Sequence, residues 1–382
     1  MRIGMISPYS LTIPGGVQNQ ILSLARALRN KGIDVRVLGP CDGPPPDTGI
    51  TPLGNSLPTA ANGSIAPLAP DPSAQLRVIR ALRDERFDLL HVHEPLAPGP
   101  AITAIVLKQS PIVATFHRSG PSKSYEYFNK PARWVANRVE VNCAVSEEAA
   151  ATARNALGGN YEILFNGIEL DRYSSKNPKQ AGQTIFFVGR HEPRKGLEVL
   201  IRSMRFLPDE VKLWIASDGP DTKRLQKATE DDSRIEWLGR ISEEEKIERL
   251  QKSKLFCAPS LGGESFGIVL LEAMASGALV VASDIPGYSK LTRGGKDALL
   301  FKAGDSTALG KALEKGLYED EASQVIVESA QLRVSEFSMT ELAERYIQIY
   351  QKAITQTPTV PLAKGGQFFT QRTLGSRNFR IR

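Results

Sequence analysis

Two glutamates and two cations carry the clearest chemistry in this chain. Glu264 and Glu272 stand in the run Gly262-Gly263-Glu264-Ser265-Phe266-Gly267-Ile268-Val269-Leu270-Leu271-Glu272-Ala273-Met274-Ala275-Ser276-Gly277. Glu264 falls in a glycine-containing loop, and the pattern beyond it predicts a helix that starts near Ser265, carries Glu272 and ends at Gly277. Two carboxylates then surround one helix entrance. A loop carboxylate hydrogen-bonds sugar hydroxyls, while the free amides of Ser265, Phe266 and Gly267 and the helix dipole favour phosphate. Arg190 and Lys195 lie in Val188-Gly189-Arg190-His191-Glu192-Pro193-Arg194-Lys195-Gly196, where a loop leaves a strand. Two fixed cations suit a diphosphate leaving group, because negative charge grows on its oxygens as a sugar bond breaks. Gly15-Gly16 opens a helix straight after the first strand, where backbone amides approach a phosphate closely. The same pair also reads as a plain tight turn. There is no third glycine at dinucleotide spacing and no Walker lysine.

These residues need elements to hold them. Arg2 to Ser7 reads as a strand, and a helix follows from about Val17 to Lys31, with Ile21, Leu24, Ala25 and Leu28 at helical spacing. Gly32 ends it, and Asp34 to Gly39 begins the next strand. Asp88 to His93, Ile112 to Phe116 and Glu140 to Val145 continue the series. After the polar, irregular stretch Asn166 to Gly182 the pattern restarts. Its strands are Thr184 to Val188, Val211 to Ala216, Ile235 to Leu238, Lys254 to Ala258 and Leu279 to Ala282, and its helices include Lys195 to Arg205 and Glu243 to Lys252. Alternation of this kind predicts an α/β protein with two Rossmann-like, doubly wound domains facing a cleft, with ligands beyond the C-terminal ends of the strands. The expected division is 1–168, a linker 169–182, 183–339, a helix 340–355 crossing back over the linker, and a tail 356–382.

Composition bounds the alternatives. The 382 residues suit two domains, and 41% hydrophobic with 24% charged residues is ordinary globular composition. Apolar runs such as Ala101 to Leu107 fall far short of the ~20 residues a membrane span needs. The N-terminal run is broken at once by Ser7-Pro8-Tyr9, unlike a signal peptide, so a cytoplasmic location is expected. Cys41, Cys143 and Cys257 are scattered without metal spacing and read as reduced thiols. Of the net charge of +6, five basic residues and no acidic one fall between Gln356 and Arg382. The body is close to neutral, which gives no support to nucleic-acid binding. The tail suits either contact with an anionic membrane or a solvated end. His91 and His93 share one strand face, but no further ligands accompany them and no metal site is assigned.

The glutamate–seven–glutamate run and the Arg190/Lys195 loop resemble glycosyltransferase family 4, built on the two-Rossmann GT-B fold. The resemblance reaches about Ile354 and leaves the tail uncovered. Within the family the chain is most similar to the phosphatidyl-myo-inositol mannosyltransferases. The matching segments are Met1-Arg2-Ile3-Gly4-Met5, Pro8-Tyr9-Ser10, Pro14-Gly15-Gly16-Val17-Gln18, His91-Val92-His93-Glu94-Pro95, Pro111-Ile112-Val113-Ala114-Thr115-Phe116-His117 and Leu261 to Leu270. The resemblance implies transfer of mannose from GDP-mannose to the inositol ring of phosphatidylinositol by a protein attached peripherally to the inner membrane face.

On that resemblance Arg190 and Lys195 bind the donor diphosphate, Glu264 the transferred sugar, Glu272 the ribose, and Gly16 lies against the phosphates. His117, ending its strand, contacts the sugar and assists the reaction. Tyr9, Gln18, Asn62 and Lys123 match the acceptor's inositol-phosphate pocket, and Arg118 is a candidate for the lipid phosphate. The pattern departs at Leu96, where the inositol enzymes tend to have Asn, and at Arg118, where they tend to have Thr; the loop from His117 to Lys123 is one residue longer. These departures keep open another nucleotide sugar or a soluble acceptor. A non-catalytic lipid- or nucleotide-sugar-binding protein is the reading from a different class. Arg77, Arg80, Arg83 and Arg86, interleaved with Leu76, Val78, Ile79 and Leu82, predict a helix with a basic stripe beside an apolar face, suited to a membrane surface. No carboxylate nucleophile for double displacement stands out, and the family resemblance implies front-face retention instead. No cofactor is required, and no residue is assigned to stimulation by Mg2+. Oligomeric state is not legible.

Overall fold

Short runs of buried β-branched and aromatic residues build two parallel sheets, one in each half of the chain. The computed structural model describes residues 1–61, 64–118, 129–173, 181–264 and 266–356. In the first half, β1 (Arg2–Ile6), β2 (Asp34–Gly39), β3 (Ile50–Pro52), β6 (Leu89–His93), β7 (Ile112–Phe116), β8 (Val141–Ala144) and β9 (Glu162–Ile163) form a seven-stranded sheet of order β3-β2-β1-β6-β7-β8-β9. Ile3 pairs with Val35 on one side and Leu89 on the other, so β1 is buried at the centre. The order reverses beside β1, the arrangement that opens a crevice at the strand ends.

The intervening helices are α1 (Gly16–Asn30), α2 (Pro72–Glu85), α3 (Pro100–Leu107), α4 (Asn129–Ala136) and α5 (Glu147–Leu157). Their starts are chemically marked: the Asp71 carboxylate accepts from Ala74 N with Pro72 at the first position, and the Ser146 hydroxyl accepts from Ala149 N. An antiparallel hairpin, β4 (Leu57–Ala61) and β5 (Ser64–Leu68), was not expected, because Pro58 and Pro67 weigh against strands.

The second half repeats the plan. The strands β10 (Thr184–Val188), β11 (Lys212–Ala216), β12 (Ile235–Gly239), β13 (Leu255–Ala258), β14 (Leu279–Ser283) and β15 (Leu299–Phe301) lie in the order β12-β11-β10-β13-β14-β15, all parallel. A short helix α6 (Leu170–Tyr173) precedes them, followed by α7 (Leu197–Ser203), α8 (Thr222–Ala228), α9 (Glu243–Lys252), α10 (Ile268–Ala275), α11 (Pro286–Leu291), α12 (Ser306–Tyr318) and α13 (Asp320–Ser335). The single helix expected from Lys195 to Arg205 is α7 flanked by two short 3-10 turns. The helix expected near Ser265 begins only at Ile268, because Gly267 takes the left-handed conformation at φ +91° and breaks any earlier turn. Ser265 itself lies outside the described residues.

The last helix, α14 (Met339–Gln356), returns to the first domain. Tyr346, Tyr350 and Ala353 are buried in its core with Ile21, Leu28 and Val113. The two chain crossings run side by side: Ile168 N donates to Phe337 O and Met339 N to Ile168 O, at 2.8 and 2.9 Å. One face of α1 fastens this hinge. Gln20 exchanges two hydrogen bonds with the Gly167 backbone, at 2.6 and 3.0 Å, and Ser23 and Arg26 bind the Glu169 carboxylate. Part of the expected linker, 169–182, is thus ordered structure. Among the described residues no helix is long and apolar enough to cross a membrane.

Candidate active site

The two glycine-framed helix entrances meet. A Cβ added at Gly16, the first residue of α1, would come within 3.5 Å of Ile268 Cδ1, the first residue of α10. The two helix N-termini therefore lie near one another between the domains, each with the positive end of its dipole. Gly15 is extended rather than left-handed, and its missing side chain makes room for Gln18, whose Oε1 would lie 2.4 Å from a Cβ there.

The cations gather at the same end of the second sheet. Lys195 closes the turn after β10, and its Nζ donates to Glu264 Oε1 at 2.5 Å. Arg194 Nη1 reaches the same oxygen at 3.3 Å, and the Ser260 hydroxyl donates to it at 3.2 Å. Burial pushes the Glu264 carboxyl up, but Lys195 and Arg194 outweigh it and hold it below its ordinary value. Arg194 Nε also pairs with Glu192 at 2.6 Å, and Arg190 Nε lies 3.7 Å from that carboxylate. Gly196 must be glycine: at φ +68° a Cβ would sit 1.9 Å from Pro259 O. That contact locks the Lys195 turn against the strand end that leads to Glu264.

Glu272 is buried on α10. Its Oε1 accepts from Lys246 Nζ at 2.9 Å and from Tyr173 OH at 3.2 Å. Burial lowers the Lys246 ammonium, but Glu272 and Glu243 more than reverse that and keep it charged. Phe266 is buried in the second domain's core and stacks on Phe165 across the hinge, at 5.6 Å between centroids.

On the first domain, His117 follows β7 and is 8% exposed. His117 Nε2 faces His93 Nδ1 at 2.9 Å, and His117 N donates to Glu94 Oε1 at 2.6 Å. Glu94 sits at φ +46°, an uncommon backbone for a residue other than glycine, and its burial pushes the carboxyl up to about 7. Burial drives His117 down to about 3, so the ring is neutral. His91 binds Tyr350 OH and Thr115 Oγ1, both at 2.8 Å, and Thr115 also meets Tyr346 OH; the pair His91/His93 is a buried strand end tied to α14.

The acceptor residues divide. The Tyr9 phenol is held protonated by burial and by nearby Glu94, with Arg118 opposing. Gln18 turns inward and donates to Ile13 O at 3.2 Å, so it shapes the loop. Asn62 and Lys123 lie outside the described residues, as does the tail from 357. The α2 expectation needs correcting. Val78 and Leu82 belong to the core, whereas Leu76 (66% exposed) and Ile79 (37%) stand outward among the arginines. Arg77 bonds Leu53 O and Ser73, Arg80 and Arg83 pair with Asp84, and Arg86 caps the helix at φ +49°. The spacing shows a mixed basic and apolar surface with partly neutralised charge, because a helix packed on a sheet must give its most regular apolar row to the core.

Residues the sequence reading missed include Arg194, Ser260, Lys246, Tyr173, His93 and Glu94. Arg194 stood beside Lys195 and was visible as charge. Lys246 and Tyr173 come from other elements, and nothing local marks them as partners of Glu272.

Facing Rossmann-like domains with a returning C-terminal helix define a GT-B glycosyltransferase. The profile described as "Glycosyltransferase Family 4" matches residues 14–172, and "Glycosyl transferases group 1" matches 171–333. The chain is 37% identical to the phosphatidyl-myo-inositol mannosyltransferase of Mycobacterium leprae over 95% of its own length and all of that protein. It is 34% identical to the enzyme of the same name from Mycolicibacterium smegmatis, over 92% and 94%. The fold matches Anabaena HepE solved with UDP and glucose, with a TM-score of 0.74 at 19% identity, covering 92% of this chain and all of that one. The chain belongs to glycosyltransferase family 4.

Proposed function

We propose that this glycosyltransferase moves mannose from GDP-mannose to phosphatidylinositol, with retention of configuration, at the inner face of the cytoplasmic membrane. The observation that carries the reading is the convergence of the Gly16 and Ile268 helix ends beside Lys195 and Glu264, in a chain 37% identical to a phosphatidyl-myo-inositol mannosyltransferase. Among the described residues nothing crowds Gly16, where an added Cβ makes only ordinary contact. A diphosphate lying against that backbone supplies the reason for glycine.

In this reading the diphosphate binds between the two helix ends, with Arg190 and Lys195 taking the charge that grows as the sugar–oxygen bond breaks. Lys195 exchanges Glu264 for phosphate, and Glu264 turns to the sugar hydroxyls. Glu272, held by Lys246 and Tyr173, accepts from the ribose. His117 contacts the sugar. The acceptor hydroxyl attacks from the face the phosphate leaves, and the departing phosphate oxygen takes its proton. The two side-chain cations make a metal unnecessary, so transfer should persist in chelator.

Tyr9, Arg118, Asn62 and Lys123 form the acceptor end of the proposal. The exposed Leu76 and Ile79 with Arg80 and Arg83 give α2 a surface for an anionic bilayer; since both arginines share Asp84, their net single charge adds about 1 kcal/mol. Leu96 and Arg118 favour a second reading, a family 4 enzyme with another nucleotide sugar or a soluble acceptor. The test is transfer of radiolabelled mannose from GDP-mannose to phosphatidylinositol vesicles, with UDP-sugars and soluble cyclitol phosphates alongside. Lipid-linked label is the expected result. Label in a soluble product, or transfer from a UDP-sugar alone, establishes the second reading.

A further inference from the structure

We infer that His93 is a positioning residue that fixes the tautomer of His117, so that His117 offers the cleft an Nδ1–H donor rather than a basic nitrogen. The inference rests on the proposed sugar contact of His117. It begins with the single hydrogen shared by His93 Nδ1 and His117 Nε2, 2.9 Å apart with ring planes 31° from parallel. One ring must donate and the other accept. Burial keeps both rings neutral, so neither carries a second proton.

The other end of His93 decides the direction. His93 is 2% exposed, and its Nε2 has no hydrogen-bond partner among the described residues. His91, its ring tilted by 36° and centred 4.2 Å away, cannot serve it, because its two nitrogens are taken by Tyr350 and Thr115. Were His117 Nε2–H the donor, the proton of His93 would sit on Nε2 as a buried N–H without an acceptor. In the reverse arrangement His93 Nδ1–H donates, and only a bare ring nitrogen is left unpaired. Orphaned buried N–H groups are the rarer and costlier of the two. The proton of His117 is then forced onto Nδ1, a nitrogen that no described residue binds.

The consequence is chemical. A neutral Nδ1–H imidazole at the end of β7 hydrogen-bonds a sugar oxygen as a donor but cannot take a proton from the acceptor hydroxyl. His117 is thereby removed as the base, which agrees with a front-face transfer in which the leaving phosphate takes the proton. Glu94 supports the same geometry by holding the His117 backbone N–H from the end of β6.

The test uses the full chain, whose four histidines give a small set of ring signals. In selectively 15N-labelled protein, assigned by single substitutions, His117 should show a protonated Nδ1 and a bare Nε2, and His93 a protonated Nδ1. His93→Asn places an amide nitrogen near the Nδ1 position and should preserve the His117 tautomer. His93→Leu should release it and lower kcat on the order of 10–100-fold, the scale for a partner that fixes a functional imidazole, with the donor KM little changed. A wild-type His117 protonated on Nε2, or a tautomer indifferent to His93→Leu, overturns the inference. If the tautomers are as stated but His117→Ala keeps full turnover, the positioning stands and the proposed sugar contact falls.

Discussion

Replacing Glu264 by Gln should separate nucleotide binding from sugar transfer and move them in opposite directions. Glu264 and Lys195 side chains are 14% and 21% exposed and meet at 2.5 Å. At that distance the gross attraction is roughly 6–7 kcal/mol for an effective dielectric of about 20, much of it offset by desolvation. Removing one partner from such a pair costs about 3–5 kcal/mol, because the remaining charge is left uncompensated. A bound diphosphate would restore that compensation, and a neutral Gln would no longer repel it. Glu264→Gln should therefore bind free GDP or UDP about tenfold more tightly, a gain of about 1.4 kcal/mol. Transfer should fall by about 10²–10³, since a contact to the reacting sugar is lost. Lys195→Met should weaken the same nucleotide, losing the roughly 1.5–3 kcal/mol of a charged hydrogen bond. Titration calorimetry and single-turnover transfer read the two effects separately. If Glu264→Gln weakens nucleotide binding as much as Lys195→Met does, the competition between carboxylate and phosphate for Lys195 is refuted.

Acid should destabilise the first domain through its histidines. His91 and His117 are held near 3, against 6.5 when unfolded, so the unfolded chain binds their protons first and stability drops as pH falls below 6.5. By pH 5.5 each has lost about 1.4 kcal/mol. Glu94, raised to about 7, runs the other way: its protonated form is favoured in the fold, so acidification from pH 7.5 to 5.5 returns roughly 1.8 kcal/mol, less than the two histidines lose together. Urea unfolding at pH 7.5 and 5.5 should show the net loss, and Glu94→Gln should steepen it; a flatter dependence in that variant contradicts the assignment. Gly196→Ala should cost more than the ~1–3 kcal/mol of a left-handed alanine, because Pro259 O blocks the Cβ as well; a melting temperature equal to wild type would disprove the lock. Gln20→Ala should destabilise by about 1–3 kcal/mol by stranding the Gly167 backbone groups, as read in denaturant unfolding, and an unchanged midpoint would show the hinge needs no clasp.

Much of the architecture was legible because it depends on local patterns. The strands Asp34–Gly39, Ile112–Phe116 and Thr184–Val188 and the helix Glu243–Lys252 fall where alternation, periodicity and caps place them. Elements governed by pairing partners were harder to read. The two-residue strand β9 and the proline-bearing hairpin β4–β5 hold through hydrogen bonds to neighbours and carry no periodic signal of their own. The late start of α10 came from one glycine dihedral, which composition alone does not disclose.

The same division runs through the candidate site. Sequence by itself determined the family, the two-domain α/β plan and the presence of Arg190, Lys195, Glu264 and Glu272, because motifs of fixed spacing are local chemistry. Only the tertiary structure decided which of these groups touch. Lys195 reaches Glu264 across 69 positions, Glu272 draws Lys246 from α9 and Tyr173 from α6, and His93 meets His117 from the neighbouring strand. Such contacts are set by strand order, which brings loops distant in the chain to one sheet edge, and by burial, which turns their shared protons and charges into fixed partnerships.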